Sequence, residues 1–326
     1  MRRVALGPLV VGIAVVALAA LFPLAQPSTY LLGFLLTVYM YGALAGSWNI
    51  LGGYTGYMSF GNAAFFGLGA YTTALLLYYL NWSPFLTLPL AGVVAGLFAA
   101  LVGYPCLRLR GPYFSLVTLI LGLAGYSLVL NTPLTKGSVG LFLPFPPVDI
   151  FTNHVIFYEG MLALLVLTTL ILRWVEHSKL GVGLAAIRED EDVAQTLGVN
   201  VTRLKLTAFL MGAFLSGLVG GLYSYYRSYL EPSFFFATSI SITIVLMALF
   251  GGRLSWLGPL LGATVLSVVN EVLTAQVQAQ AARIVFGLLL IVVIMFIPDG
   301  LMSVVQPWLR RRLGRAGGHA GVEEVA

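Results

Sequence analysis

Apolar residues in this chain gather into runs of about twenty, the length that crosses the hydrocarbon core of a bilayer as a helix. On that ruler helices fall near residues 4–22, 29–51, 58–80, 85–106, 112–130, 155–174, 206–228, 234–251, 256–275 and 283–298. The breaks carry turn chemistry: Gln26-Pro27-Ser28, Gly52 to Gly56, Asn81 to Pro84, Gly111-Pro112 and Gly251-Gly252 all end helices readily. The pattern predicts an all-α polytopic membrane protein with about ten transmembrane helices filling residues 1–306.

Two internal stretches depart from the pattern. Residues 131–153 hold Pro133, Pro144, Pro146 and Pro147, too many for a spanning helix, and read as an extracytoplasmic loop. Residues 181–205 are too polar for a bilayer. There Leu184, Ile187, Ala194 and Leu197 recur at helical spacings, the acids Glu189 to Asp192 suit a first helical turn, and Gly198 suits a helix end. A piece with one apolar and one charged side either lies wet on its own bundle or meets a protein partner or the membrane surface. The tail, 307–326, turns basic and then Gly-rich, a disordered composition.

Composition agrees with lipid as the main solvent. The 326 residues are 59% hydrophobic and only 9% charged, against about 25% charged in soluble domains. Sixteen Tyr, 20 Phe and 5 Trp suit side chains at headgroup level. The apolar run after Arg2-Arg3 is too long for a signal-peptide core and lacks a small-residue cleavage site, so it is expected to be the first membrane helix. Cys106 is the single cysteine, which excludes an intrachain disulfide and a cysteine metal cluster and leaves it a small buried hydrophobe. The pairs Gly92/Gly96, Gly217/Gly221 and Gly258/Gly262 would let helix backbones approach closely.

Charge placement orients the chain. With ten crossings and the N-terminus in the cytoplasm, only Lys136, Arg227 and Arg283 fall outside, and every other Lys and Arg falls inside. The positive-inside rule favours that arrangement, so both termini and residues 181–205 are expected in the cytoplasm. The Gly-rich breaks at 52–61 and 250–262 occupy comparable places in two blocks of helices, as a duplicated transporter fold would have them.

No catalytic set is present. The chain has no GxxxxGK[ST] phosphate loop, no HExxH and no GxSxG, and His154, His177 and His319 are dispersed. It cannot hydrolyse ATP by a Walker site of its own. The spans are nearly free of ionisable residues, which counts against a proton or sodium carrier. The exceptions, Glu271 and Arg283, either pair with each other or serve the pathway. What the spans do hold is uncharged polarity, and Asn49, Ser59, Asn62, Thr118 and Ser241 are the candidates to line a translocation path or to bridge helices.

Five ordered blocks resemble the branched-chain amino acid ABC importer permeases: Trp48 to Gly61 with Ala63 to Tyr71, Arg108 to Phe114 with Val117 to Leu119, Ala186 to Ala194 with Gly198 and Lys205, Leu249 to Gly252 with Gly258 to Ala263, and Pro298 to Leu301. The match spans about residues 30 to 302, and the long outer loop and REDED block look like the LivM type. The resemblance implies the ABC importer permease fold and an ATPase-coupling role for Ala186, Ile187, Arg188, Glu189, Asp190, Asp192, Val193, Ala194, Leu197 and Gly198. Asp192 stands where such loops usually carry Glu, and Val193 where they carry the first Ala.

It further implies an ATP-driven importer of the bacterial inner membrane with a LivH-like second permease, two cytoplasmic ATPase subunits and a periplasmic or extracellular binding protein. ATP and Mg are then used by the ATPase subunits, and this chain binds no cofactor. The rival readings are a urea or short-chain amide permease, and a stand-alone secondary carrier.

Overall fold

A computed structural model of the protein describes residues 6–144, 148–276, 287–288 and 300–303. The described chain runs α1 (Leu6–Leu21), α2 (Thr29–Asn49), α3 (Gly52–Thr55), α4 (Asn62–Leu80), α5 (Pro84–Cys106), α6 (Pro112–Asn131), β1 (Leu141–Phe142) and α7 (Ile150–His177). It continues through α8 (Lys179–Glu189), α9 (Glu191–Thr196), α10 (Val201–Arg227), β2 (Tyr229–Leu230), α11 (Pro232–Phe235), α12 (Thr238–Gly251) and α13 (Gly258–Gln276). Among the described residues eight helical stretches are long and apolar enough to cross a membrane: α2 with α3, α4, α5, α6, α7, α10, α11 with α12, and α13. The first expected span appears as α1, whose 16 residues fall short of that length. The expected span at 283–298 and the tail 307–326 lie outside the described residues.

Local chemistry sets the boundaries. Pro84 and Pro112 open α5 and α6, where a missing N–H costs nothing. Ser28, Asp149, Ser178 and Asn200 cap α2, α7, α8 and α10 with side-chain oxygens that accept from backbone N–H groups. Asn200 starts α10 five residues before the expected span, so Arg203 and Lys205 belong to the long helix.

Helix α10 stands at the centre, packed on α4 and α5 and also on α2 and α7. Glycine makes this possible. A Cβ on Gly69 would lie 2.1 Å from the Gly217 carbonyl oxygen, and one on Gly220 would lie 1.9 Å from that of Phe66, so the backbones of α4 and α10 touch. Gly92 meets Phe214, Gly221 meets Thr73 and Ala91, and Gly258 and Gly262 clasp the end of α12. Gly96 departs from the expectation, because nothing lies within 4 Å of its Cβ position.

The outer segment is shorter than expected, since α6 includes Asn131 and α7 begins at Ile150. It is also fastened down: after two 3-10 turns, β1 pairs antiparallel with β2, Leu141 opposite Leu230 and Phe142 opposite Tyr229. Leu141 is fully buried. Pro146 and Pro147 lie outside the described residues. The two Gly-rich breaks differ in build. The first is the single turn α3 followed by six non-helical residues, whereas at the second Gly252, at φ 111°, leads through a short turn into α13.

Candidate functional site

The polar stretch folds as two short helices at one end of the bundle. Asp190 separates them: its backbone is extended, and its carboxylate accepts from the N–H groups of Asp192 and Val193 at the start of α9. Glu191 and Asp192 then fill the first turn, and Gly198, at φ 86°, follows the last. Leu184, Ile187 and Ala194 are buried, packing both helices on their own bundle. Leu197 departs from the predicted face. It is 79% exposed and Val193 is 53% exposed, so α9 presents two apolar side chains outward while Ala194, 2% exposed, faces in. Arg188 lies over Gly56 and pairs with its neighbour Glu189.

A charged junction fixes α9 to the membrane helices. Lys205 in α10 is 2% exposed, and its Nζ donates to Glu191 Oε1 at 2.8 Å, to the Leu107 carbonyl at 3.1 Å and to the Tyr57 hydroxyl at 3.0 Å. Tyr57 donates in turn to Glu191 Oε2. Arg110 holds Asp192 through two N–H···O bonds of 3.0 and 2.8 Å, with Glu191 3.8 Å away. Burial pushes the Glu191 carboxyl up, but the hydrogen bonds from Lys205 and Tyr57 and the charges of Lys205 and Arg110 outweigh it and hold the group below its ordinary value. The Arg110 fork holds Asp192 low as well. Burial, then the bond to Glu191, raises the Tyr57 hydroxyl.

Three segments, around Tyr57, Arg110 and Lys205, thus meet at α9. The visible sequence signal was Lys205 running directly into an apolar helix, where a cation is costly unless it is partnered.

The five pathway candidates sit elsewhere, four of them around the non-helical break before α4. Thr118 accepts from the Phe60 N–H at 3.0 Å, Ser59 from that of Gly61 at 3.3 Å, and Ser241 from that of Ala63 at 2.9 Å. Asn62 donates to Ser216, which also bonds Ser47. Asn49, fully buried, donates to the Arg253 carbonyl at 3.0 Å and bridges α2 to the turn before α13. Backbone freed by a broken helix needs partners at membrane depth, and Ser59, Thr118 and Ser241 supply them.

A larger space opens near the opposite end. This cavity, of about 830 Å³, is walled by α2, α7, α10, α12 and α13. Its described lining includes Tyr30, His154, Tyr226, Thr243, Ser267 and Glu271, and none of the five pathway candidates. Glu271 accepts a hydrogen bond from the Tyr30 hydroxyl. Arg283, its expected partner, lies outside the described residues. Among the described residues no group of His, Cys, Asp and Glu is placed to hold a metal ion.

A multi-pass helical bundle with a polar cavity toward one end and an anchored amphipathic projection at the other is built as the membrane part of a transporter. Residues 30–294 match the family model described as branched-chain amino acid transport system, permease component, and the chain belongs to that family. It is 32% identical over 298 residues to the high-affinity branched-chain amino acid transport system permease protein LivM of Salmonella typhimurium, and 31% identical to that of Escherichia coli. Each alignment covers 83% of this chain and 69% of the relative. A probable LivH permease of Methanocaldococcus jannaschii is 23% identical over 78% of this chain and 86% of its own length. No solved structure matches the chain.

Proposed function

We propose that this chain is one membrane subunit of an ATP-driven importer for branched-chain or related amino acids, and that α8 and α9 receive the stroke of a separate ATPase. The observation that carries the reading is the exposed Val193 and Leu197 on a helix whose base is bound by Lys205 and Arg110. An apolar pair on a rigidly held helix suits a protein groove, and a push on α9 has a direct mechanical path into α10 through Lys205. Family membership supports the substrate class.

Orientation follows from charge. Arg108, Arg110, Arg173, Lys179, Arg188 and Arg253 lie in or beside the segments at the α9 end, whereas Lys136 and Arg227 lie at the other. That asymmetry supports a cytoplasmic α8–α9 and a bacterial inner membrane location. The working complex then comprises this chain, a LivH-like permease, two ATPase subunits that bind ATP and Mg, and a solute-binding protein on the outer side.

Reconstitution tests the reading. Liposomes holding both permeases and the ATPases are expected to accumulate leucine only with ATP inside and binding protein outside. Uptake by this chain alone, or uptake of urea in preference to leucine, overturns it.

A further inference from the structure

The cavity between α2, α7, α10, α12 and α13 has a wall that packing does not explain. Along α13 one side, Gly258, Gly262, Ala263 and Leu266, is buried in the bundle. Ser267 and Glu271, one turn apart and so on one side of the helix, both line the cavity. Glu271 is the single acidic side chain among the described lining residues. A carboxylate within a spanning segment is costly and marks function by default. Its described partner is the Tyr30 phenol, which fixes one oxygen in place and brings no compensating charge. Ser267 is buried, 7% exposed, and its hydroxyl has no hydrogen-bond partner among the described residues. A buried hydroxyl left this way is stabilised by whatever bonds it.

The remaining walls fit a small amphiphile. Phe34 and Met247 supply apolar surface, and His154 lines the cavity with Nδ1 donating to the Ile150 carbonyl at 2.8 Å, which leaves Nε2 as an acceptor. Mostly uncharged walls with a few placed polar groups are how small-molecule sites are built.

We propose that this cavity is a binding site for a zwitterionic amino acid, with its primary ammonium on Glu271, its carboxylate toward the Ser267 hydroxyl, and its side chain against Phe34 and Met247. The site rests on the importer reading above and gives it a recognition element inside the membrane. The ammonium adds the positive charge that Tyr30 lacks, and the solute's carboxylate accepts from the Ser267 hydroxyl. No bond is made or broken, so release needs only a change in the spacing of α2 and α13.

The test is binding of radiolabelled leucine to the whole permease–ATPase complex in nanodiscs, without the binding protein, beside uptake by the same complex with it. Wild type is expected to bind saturably, isoamylamine to displace leucine better than isocaproate does, and Glu271→Gln to weaken binding about tenfold or more. Glu271→Asp, which keeps the charge, is expected to retain part of the affinity. Undiminished binding by Glu271→Gln, displacement by isocaproate as effective as by isoamylamine, or a complex that imports leucine yet binds none by itself each overturns the site. A complex that imports no amino acid at all overturns the importer reading beneath it.

Discussion

Lys205, buried in the first turns of the central helix, reaches Glu191 in the neighbouring short helix with its ammonium 2.8 Å from Oε1. Fourteen residues separate them, and the two helices on which they lie are joined by little else that is charged. A buried pair is strongly destabilising to break from one side alone, by about 3–5 kcal/mol, because the remaining charge is stranded. Glu191→Gln is therefore expected to loosen α9 by roughly 3 kcal/mol. Lys205→Met combined with Glu191→Gln should restore much of the loss. Hydrogen exchange at residues 191–199 in the three variants checks the cycle, and a double variant as loose as the sum of the singles would break the pairing argument.

Acid should release the same joint. Glu191 and Asp192 are both held below their ordinary values in the fold. A depressed carboxyl contributes stability above its unfolded value, near 4 for these groups, and loses it as pH falls through the folded value. Docking of α9 is expected to be constant at neutral pH and to fail only in the acid range. Exchange measured against pH should show this in the wild type and a smaller acid response in Glu191→Gln.

On the outward side of α9, Val193→Asp and Leu197→Asp are expected to leave the bundle folded. They should cut transport per ATP hydrolysed by about tenfold, as loss of a central apolar contact does at many interfaces. Ala194→Asp differs, because its methyl is buried, and a carboxylate there should unseat α9 altogether. Paired ATPase and uptake assays, with proteolysis as the folding control, separate the two classes.

Gly69→Ala and Gly220→Ala should each lower the melting temperature of the purified chain steeply, since a methyl would stand about 2 Å from a backbone oxygen of the facing helix. Gly96→Ala is the control. Its Cβ position is open, and the substitution is expected to be neutral or to stabilise by up to about 1 kcal/mol through helix propensity.

At the break before α4, Ser241→Ala and Thr118→Val should each strand one backbone N–H and cost about 1–3 kcal/mol. Thermal unfolding measures that cost. If these residues touch solute instead, the half-saturating leucine concentration for uptake will shift while stability stays put.

Span placement was legible in the sequence because it depends on composition over about twenty residues, and both helix type and order followed. The amphipathic projection was legible too, from its charge. Its outward face was not: Leu197 and Ala194 both fit an apolar stripe, and only the turn at Asp190, which changes the direction of the chain between the two helices, decides which of them is covered. The junction was legible only at Lys205, a cation that needed a partner, and which residues supply it was hidden for a different cause. Tyr57 and Arg110 come from two separate helix connections and Glu191 and Lys205 from two helices, and no spacing encodes that meeting. For Asn49 and Asn62, cost of burial singled them out, and a helix bridge and a pathway lining look alike until partners are seen.

Where α4 and α10 touch, carbonyl oxygens of one lie where the other has no side chain at all. Two rods keyed together in that way can tilt as a single block, yet neither can slip along or roll on its mate without jamming. Any rearrangement that alternately opens this protein to its two sides must then be taken up at the seams bordering the block, among them the walls of the cavity.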